Sequence, residues 1–90
     1  MLEVITTKTF ERDYAKMVRQ GKKLEKINFV ISCLKEGSKL DLKYRDHKLT
    51  GIYKGWRDCH VESDWLLIYR ISKNILILER TGTHSELFNK

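Results

Sequence analysis

The period of the apolar pattern changes along the chain, and this change limits the possible folds more than any other feature. Between residues 8 and 36 apolar side chains recur at helical spacing, and in the first helix one apolar stripe comprises Phe10, Tyr14, Met17 and Val18. After Trp56 they instead form short runs of strand length, such as the run at 65–69. Helices that are followed by a separate set of strands predict an α+β fold.

The sequence predicts its elements in a simple order. They are a short strand at 2–6, a helical hairpin at 8–20 and 22–36, three antiparallel strands at 56–62, 65–71 and 75–81, and a short C-terminal helical turn. Thr7 can act as the N-cap of the first helix, and Gly21 suits the position after it, because glycine adopts positive φ without steric cost. Residues 38–55 show no clear period and form a long connection, which is usually functional or disordered.

The chain of 90 residues is sized for a single domain, residues 1–90, with one modest core. Its 41% hydrophobic content is ordinary for a folded domain, and its net charge of +6 favours a polyanionic partner such as nucleic acid or an acidic protein. No apolar run is long enough to cross a bilayer, and Cys33 and Cys59 are not spaced as in a CxxC motif. We therefore expect a cytoplasmic protein with reduced thiols and no membrane partner.

Three histidines and an aspartate form the candidate acid–base set. They are His47, His60, Asp64 and His84. Histidine can give and take protons near neutral pH, although each of these side chains could instead have a structural role. They lie in the long connection, the first β-hairpin and the tail, and these segments can converge at one end of a sheet.

These residue types suit the cleavage of an RNA phosphodiester by its own 2′-hydroxyl. That reaction needs a base, an acid, and cations for the charge that develops on the phosphorane. Arg57, Arg80 and the lysines supply cations, and Phe88 or Trp65 could stack on an RNA base. Packing in the core is the alternative for both aromatic residues.

Two other functions fit parts of the sequence. A zinc-dependent hydrolase could use the three histidines and Asp64, but their spacing matches no familiar ligand motif. A non-catalytic module that binds RNA or protein would explain the net charge and the lysine-rich helices without any proton transfer. Those lysines could also be an ordinary solvated helix face.

Three separated blocks of the sequence resemble one family of proteins. The blocks DHKLTG (46–51), WRDCHVESDWLLIYR (56–70) and LERTGTHSELF (78–88) closely resemble the YafQ branch of the RelE superfamily of bacterial toxins. The similarity is strong over the last half of the chain, and in the first half it extends only to the order of strand, helix and helix. It implies a small RelE-like fold with a helical hairpin packed on an antiparallel sheet.

The resemblance also implies a function and a set of partners. It implies the toxin of a type II toxin–antitoxin system, a ribosome-dependent endoribonuclease that cuts mRNA in the ribosomal A site without a metal or other cofactor. A cognate antitoxin would silence it. We expect that antitoxin to be acidic and partly disordered, and the toxin to be a monomer when free and part of a hetero-oligomer with its antitoxin.

The family's functional residues fall on named positions of this sequence. They are His47, His60, Asp64, His84 and Phe88, with Trp65 beside them. In this interpretation His84 is the general acid, and Asp64, His60 or His47 serves as the base or orients it. Arg80, Arg57 and Lys48 are the candidate phosphate-binding cations, and Phe88 would position an RNA base. Lys48 stands where proline is common in the family, which leaves the loop less rigid.

Overall fold

The computed structural model describes residues 1–88. It contains a five-stranded sheet with two long helices on one face. The elements are, in chain order, β1 (Glu3–Thr6), α1 (Lys8–Arg19), α2 (Leu24–Lys35), β2 (His47–Lys48), β3 (Arg57–Glu62), β4 (Trp65–Ser72), β5 (Ile75–Gly82) and α3 (His84–Phe88). The strand order is β1-β5-β4-β3-β2, so β4 is central. The predicted α+β fold is confirmed, and the last two residues of the predicted domain lie outside the described residues.

The ends of α1 follow the predicted local signals. Thr7 is the N-cap, and its Oγ1 accepts a hydrogen bond of 3.0 Å from the backbone N–H of Phe10. Gly21 follows the C-cap residue with φ of 72°. Met17 faces the sheet and is buried, whereas Val18, which the predicted apolar stripe included, is 51% exposed. The apolar stripe is therefore narrower than the sequence indicated.

The N-terminal strand makes the sheet mixed. β1 pairs with β5 in parallel, in a register that runs from Glu3 opposite Ile75 to Thr6 opposite Leu78. The sequence predicted the strand itself, but it predicted an antiparallel sheet and gave no partner for β1. Parallel pairing is possible because a long connection, which contains both helices and β2–β4, joins β1 to β5.

The helix side of the sheet contains the larger core. Its members include Phe10, Met17, Ile27, Val30, Leu34, Cys59, Leu67, Tyr69, Leu76 and Leu78. Trp65 belongs to the same core and is 1% exposed, and its indole Nε1–H donates a hydrogen bond of 2.9 Å to Thr81 Oγ1. Thr81 Oγ1 in turn donates to the backbone oxygen of Leu66 at 2.8 Å. Both hydroxyl contacts satisfy polar atoms that burial would otherwise leave unpaired.

A smaller apolar cluster covers the opposite face of the sheet. Leu66, Ile68 and Leu87 are buried there, and Leu49, Tyr53, Trp56 and Phe88 pack against them. The long connection supplies part of this layer through two short 3-10 turns, Leu42–Tyr44 and Gly51–Tyr53, and through β2. Within residues 1–88 no helix is both long and apolar enough to span a membrane.

Candidate active site

Three histidines form a row on the face of the sheet opposite the long helices. His47 of β2 is paired with Asp58 of β3, and His60 lies two residues further along the same face of β3. The short helix α3 brings His84 to the same place from the end of the chain. The ring centroids of His47 and His60 are 6.5 Å apart, and those of His60 and His84 are 5.5 Å apart. We call these three side chains the histidine row.

His84 is held by a single carboxylate. Its Nδ1 lies 2.6 Å from Asp64 Oδ1, and its backbone N–H donates to the same oxygen at 2.9 Å. A carboxylate that accepts from Nδ1–H stabilises the imidazolium form and leaves Nε2–H as the proton that can be donated. The hydrogen bonds from the backbone and side chain of His84 lower the pKa of Asp64. Asp64 therefore holds and orients His84.

A capping box fixes the helix that carries His84. The backbone N–H of Thr83 donates to Glu86 Oε1 at 2.9 Å, and the N–H of Glu86 donates to Thr83 Oγ1 at 3.2 Å. Glu86 also forms an ion pair with Lys16 of α1. Gly82 precedes this box, and a Cβ at that position would lie 2.9 Å from Glu86 Oε1. A side chain at Gly82 would therefore require the Glu86 carboxylate to shift out of the capping box.

We predict that Gly82→Ala will weaken the capping box of α3 while leaving the sheet intact. The new methyl group would force the Glu86 carboxylate out of the capping box, and loss of a cap costs about 1 kcal/mol. A 15N–1H spectrum should show changes concentrated at α3, and the free energy of unfolding should fall by about 1 kcal/mol. A spectrum that changes throughout the sheet, or one that does not change at α3, would contradict this.

The tautomer of His47 is set by the backbone. Its Nδ1 lies 2.7 Å from the carbonyl oxygen of Arg45, which can only accept, so Nδ1 carries the hydrogen and Nε2 has a free lone pair when the ring is neutral. Arg45 adopts a left-handed conformation with φ of 51°, which is uncommon for a residue other than glycine. This backbone conformation directs its carbonyl toward His47. Nε2 of His47 is therefore free to accept a proton.

His60 lies between the other two histidines. Burial is the main cause that lowers its pKa, and the neighbouring His84, Arg45 and His47 lower it further, against an opposing effect of Asp58. A histidine whose pKa is lowered is neutral at neutral pH and can accept a proton. Arg45 is thus a cation beside the row. Nothing in the sequence marked Arg45 as a member of the site.

Asp58 is a member of the site that the sequence analysis missed. Alternation places Asp58 on the polar face of β3 with His60, a face that would be expected to be open to solvent or ligand, yet Asp58 is only 3% exposed. Its Oδ1 lies 3.1 Å from Nδ1 of His47. Burial raises its pKa, while the three histidines oppose that effect. Alternation along β3 would have placed Asp58 beside His60, but only the β2 pairing shows that it is covered.

Arg80 lies on the same face as the histidine row, since it is paired with Ile68 of the smaller cluster. Its Nε donates to Asp13 Oδ2 at 2.7 Å, and its other nitrogens lie 3.3 Å from Asp13 Oδ1 and 3.5 Å from the hydroxyl of Tyr53. The carboxylate of Asp13 raises the pKa of Arg80. The structure therefore provides one fixed cation on this face.

Two other predicted cations lie elsewhere. Lys48 and Arg57 are paired with each other across β2 and β3, one position along from His47 and Asp58, so their side chains belong to the opposite face of this ladder. Arg57 Nε donates to Asp46 Oδ1 at 3.2 Å. Lys48 and Arg57 therefore do not lie beside the histidines, in contrast to the expectation that they bind the phosphate there.

The two predicted aromatic contacts with RNA have different outcomes. Phe88 ends α3 and is half-buried, with its ring 5.7 Å from that of Tyr53 in an edge-to-face arrangement. Trp65 lies in the core under the helices, on the far side of the sheet from the histidine row. Its proposed stacking on RNA is therefore wrong, and the alternative of packing in the core applies.

The described part of the chain holds no group of three or more His, Cys, Asp or Glu side chains arranged to bind a metal ion. The ring centroids of neighbouring histidines in the row are 6.5 Å and 5.5 Å apart. A zinc site made of His47, His60, Asp64 and His84 therefore has no support from this geometry.

Comparisons with known proteins agree on one family. Residues 2–89 match the family described as the bacterial toxin of type II toxin–antitoxin system, YafQ. The mRNA interferase toxin YafQ of Escherichia coli K12 is 39% identical over 80 residues, which cover 88% of this chain and 87% of the relative.

Two solved structures agree with that match. A copper-bound mutant toxin from Helicobacter pylori superimposes with a TM-score of 0.93 at 39% identity, covering 98% of this chain and 100% of the other. The E. coli DinJ–YafQ complex gives a TM-score of 0.89 at 35% identity, covering 98% and 99% of the two chains. The chain therefore belongs to the YafQ family of bacterial toxins from type II toxin–antitoxin systems.

Proposed function

We propose that this toxin is an mRNA endoribonuclease that works on the ribosome and cleaves by acid–base catalysis without a metal ion. His60 or His47 removes the proton of an RNA 2′-hydroxyl, and the 2′-oxygen forms a bond to the adjacent phosphorus. The bond from phosphorus to the 5′-oxygen breaks, and Nε2–H of His84 protonates the departing oxygen. The products are a 2′,3′-cyclic phosphate and a 5′-hydroxyl.

The different environments of neighbouring histidines carry this proposal. Nδ1 of His84 is held by the Asp64 carboxylate, which leaves Nε2–H as the available donor, whereas burial lowers the pKa of His60, which favours its neutral form. Their ring centroids are 5.5 Å apart. A proton donor and a proton acceptor at this separation can act as acid and base on one phosphate. The non-catalytic alternative gives no reason for this arrangement.

The surrounding residues supply the remaining requirements of the reaction. Arg80 offers a fixed positive charge for the phosphorane, and Arg45 offers a second one next to His60. Phe88 presents a partly exposed ring on the same face and can position an RNA base by stacking. These assignments replace Lys48 and Arg57 as phosphate-binding groups.

The partners follow from the charge of the chain and from its relatives. The relatives include an mRNA interferase and a toxin in complex with the antitoxin DinJ. The net charge of +6 suits both ribosomal RNA and an acidic antitoxin. We propose a cognate antitoxin that is acidic and partly disordered when free, and a cytoplasmic toxin that is monomeric until it binds that antitoxin.

Cleavage of a defined mRNA on purified ribosomes tests this function. The toxin should cut the mRNA in the A site of a translating ribosome, and should cut the naked mRNA much more slowly. A chelator selective for transition metals over Mg²⁺ should leave the rate unchanged, since no step uses such a metal. The ends of the fragments should be a 2′,3′-cyclic phosphate and a 5′-hydroxyl.

Other results would favour the alternatives. Salt-sensitive RNA binding without any cleavage would indicate a binding module. Loss of cleavage in the chelator, with recovery when zinc is restored, would indicate a metal-dependent hydrolase. That test matters because a structural relative is copper-bound.

A further inference from the structure

Asp58 has an environment that is unfavourable for a purely structural carboxylate. Its side chain is nearly fully buried, and its Oδ1 has no hydrogen-bond partner, the only buried side-chain polar atom in this state within residues 1–88. Leaving a buried polar atom unpaired typically costs about 1–3 kcal/mol, and more for a charged group. In proteins, unpaired buried polar groups of this kind occur mostly at functional sites.

The groups that face this carboxylate come from several elements. His47 on β2, His60 on the same strand and His84 on α3 act on it as cations when they are protonated, and Asp46 adds a like charge before β2. The closest is His47, whose Nδ1 is 3.1 Å from Asp58 Oδ1. The hydrogen on that nitrogen points to the carbonyl of Arg45 instead. Asp58 therefore acts on the histidine row mainly through its charge.

We propose that Asp58 is a positioning residue whose buried carboxylate stabilises the imidazolium that forms when His47 or His60 accepts the 2′-hydroxyl proton. This inference rests on the proposed function. The carboxylate lies behind His47, away from the ring nitrogen that accepts the proton, as the aspartate does behind the histidine of a catalytic triad. The charge needs no reorganisation during the reaction, because the sheet already fixes it next to the base.

The folding cost of this carboxylate depends on pH. Burial raises the pKa of Asp58 above its unfolded value, so its effect on stability is most favourable below the unfolded pKa and is lost as the pH rises through the folded pKa. At neutral pH the carboxylate therefore weakens the fold. A neutral side chain of the same shape should remove this effect and retain the packing.

The variant Asp58→Asn separates the two roles. We expect the pKa of His60, measured by NMR titration of the ring, to fall by about 1 unit, because a nearby negative charge that raises it has been removed. Single-turnover cleavage should slow by about tenfold, and the acidic limb of its pH profile should move to lower pH by a similar amount. The midpoint of thermal unfolding should stay the same or rise.

Asp41→Asn is the matched control. It removes one carboxylate at the start of a 3-10 turn, where an asparagine oxygen can still accept from the N–H of Lys43. Its histidine titration and cleavage rate should match those of the unchanged toxin. The carboxyl 13C signal of Asp58 in the unchanged toxin gives a second measurement, and it should titrate together with the ring signals.

The outcomes distinguish this inference from the proposed function. Histidine pKa values and a pH profile that do not move in Asp58→Asn would overturn the positioning role, as would an Asp58 signal that titrates independently of the rings. Absence of cleavage by the unchanged toxin on ribosomes would instead contradict the proposed function, whatever the titration shows.

Discussion

Replacement of His84 with alanine should slow single-turnover cleavage on the ribosome by about 10²–10⁴-fold, the usual effect of removing one proton-transfer group. The helix should survive, since alanine is a good helix former and the backbone N–H at this position still donates to Asp64. A normal thermal midpoint together with the loss of cleavage would show that the imidazole itself is required. Expression of the variant should also no longer arrest growth.

Asp64→Asn is the companion variant, because an asparagine oxygen can still cap α3 but does not carry the charge that stabilises the imidazolium. We expect about a tenfold loss of rate, smaller than that of His84→Ala. The double variant should be no slower than His84→Ala alone, since Asp64 acts through His84. If the rate loss of this double variant equalled the product of the two single losses, Asp64 and His84 would act independently and the coupling would be contradicted. Full cleavage by the double variant His60→Ala, His84→Ala would contradict the mechanism.

Asp13→Ala should destabilise the domain by about 3 kcal/mol, the lower end of the range for breaking a largely buried ion pair. Asp13 accepts hydrogen bonds from two nitrogens of Arg80 and from the backbone N–H of Thr81 at 3.1 Å. Its loss leaves the guanidinium without its main partner. Unfolding in urea measures the change, and cleavage should also fall because Arg80 is no longer fixed.

Glu62→Ala is the control for the loss of an ion pair. Glu62 binds Lys26 at 2.6 Å, but both side chains are about two-fifths exposed, at 41% and 43%. The free energy of unfolding should therefore change by about 0.5 kcal/mol or less. If Asp13→Ala and Glu62→Ala lowered the free energy of unfolding equally, burial would not make the Asp13 ion pair more stabilising than an exposed one. Addition of Arg80→Ala to Asp13→Ala should cost less than the sum of the separate changes.

The sequence predicted the elements of this fold better than their arrangement. Helical spacing, the Thr7 cap and Gly21 are local signals, and the structure bears them out. The parallel partner of β1 depends on how the helices carry the chain across the sheet, and no local signal encodes that. The same limit applies to Val18, since helical spacing shows which residues share a stripe but not how wide the contact with the sheet is.

The site shows the same division between local pattern and long-range pairing. Residue type and the family resemblance identified the histidines and Asp64, and the structure places them together. Trp65 and Arg57 were assigned to RNA because of their chemistry, but the side of a strand that faces the helices is known only once the sheet is assembled. Asp58 was overlooked for the opposite reason, because an aspartate in a polar segment gives no sign that β2 and the histidines will cover it.

The pairing of β1 with β5 also affects how quickly a newly made toxin becomes active. Thr7, the residue after β1, donates through Oγ1 to the backbone oxygen of Glu79, 72 positions away. Contacts of such high sequence separation slow folding, because the loop between them must close before they form. β5 contains Arg80 and leads directly to α3, so the candidate active site is completed in the same long-range step. The helical hairpin by itself lacks these residues and therefore cannot act as the nuclease.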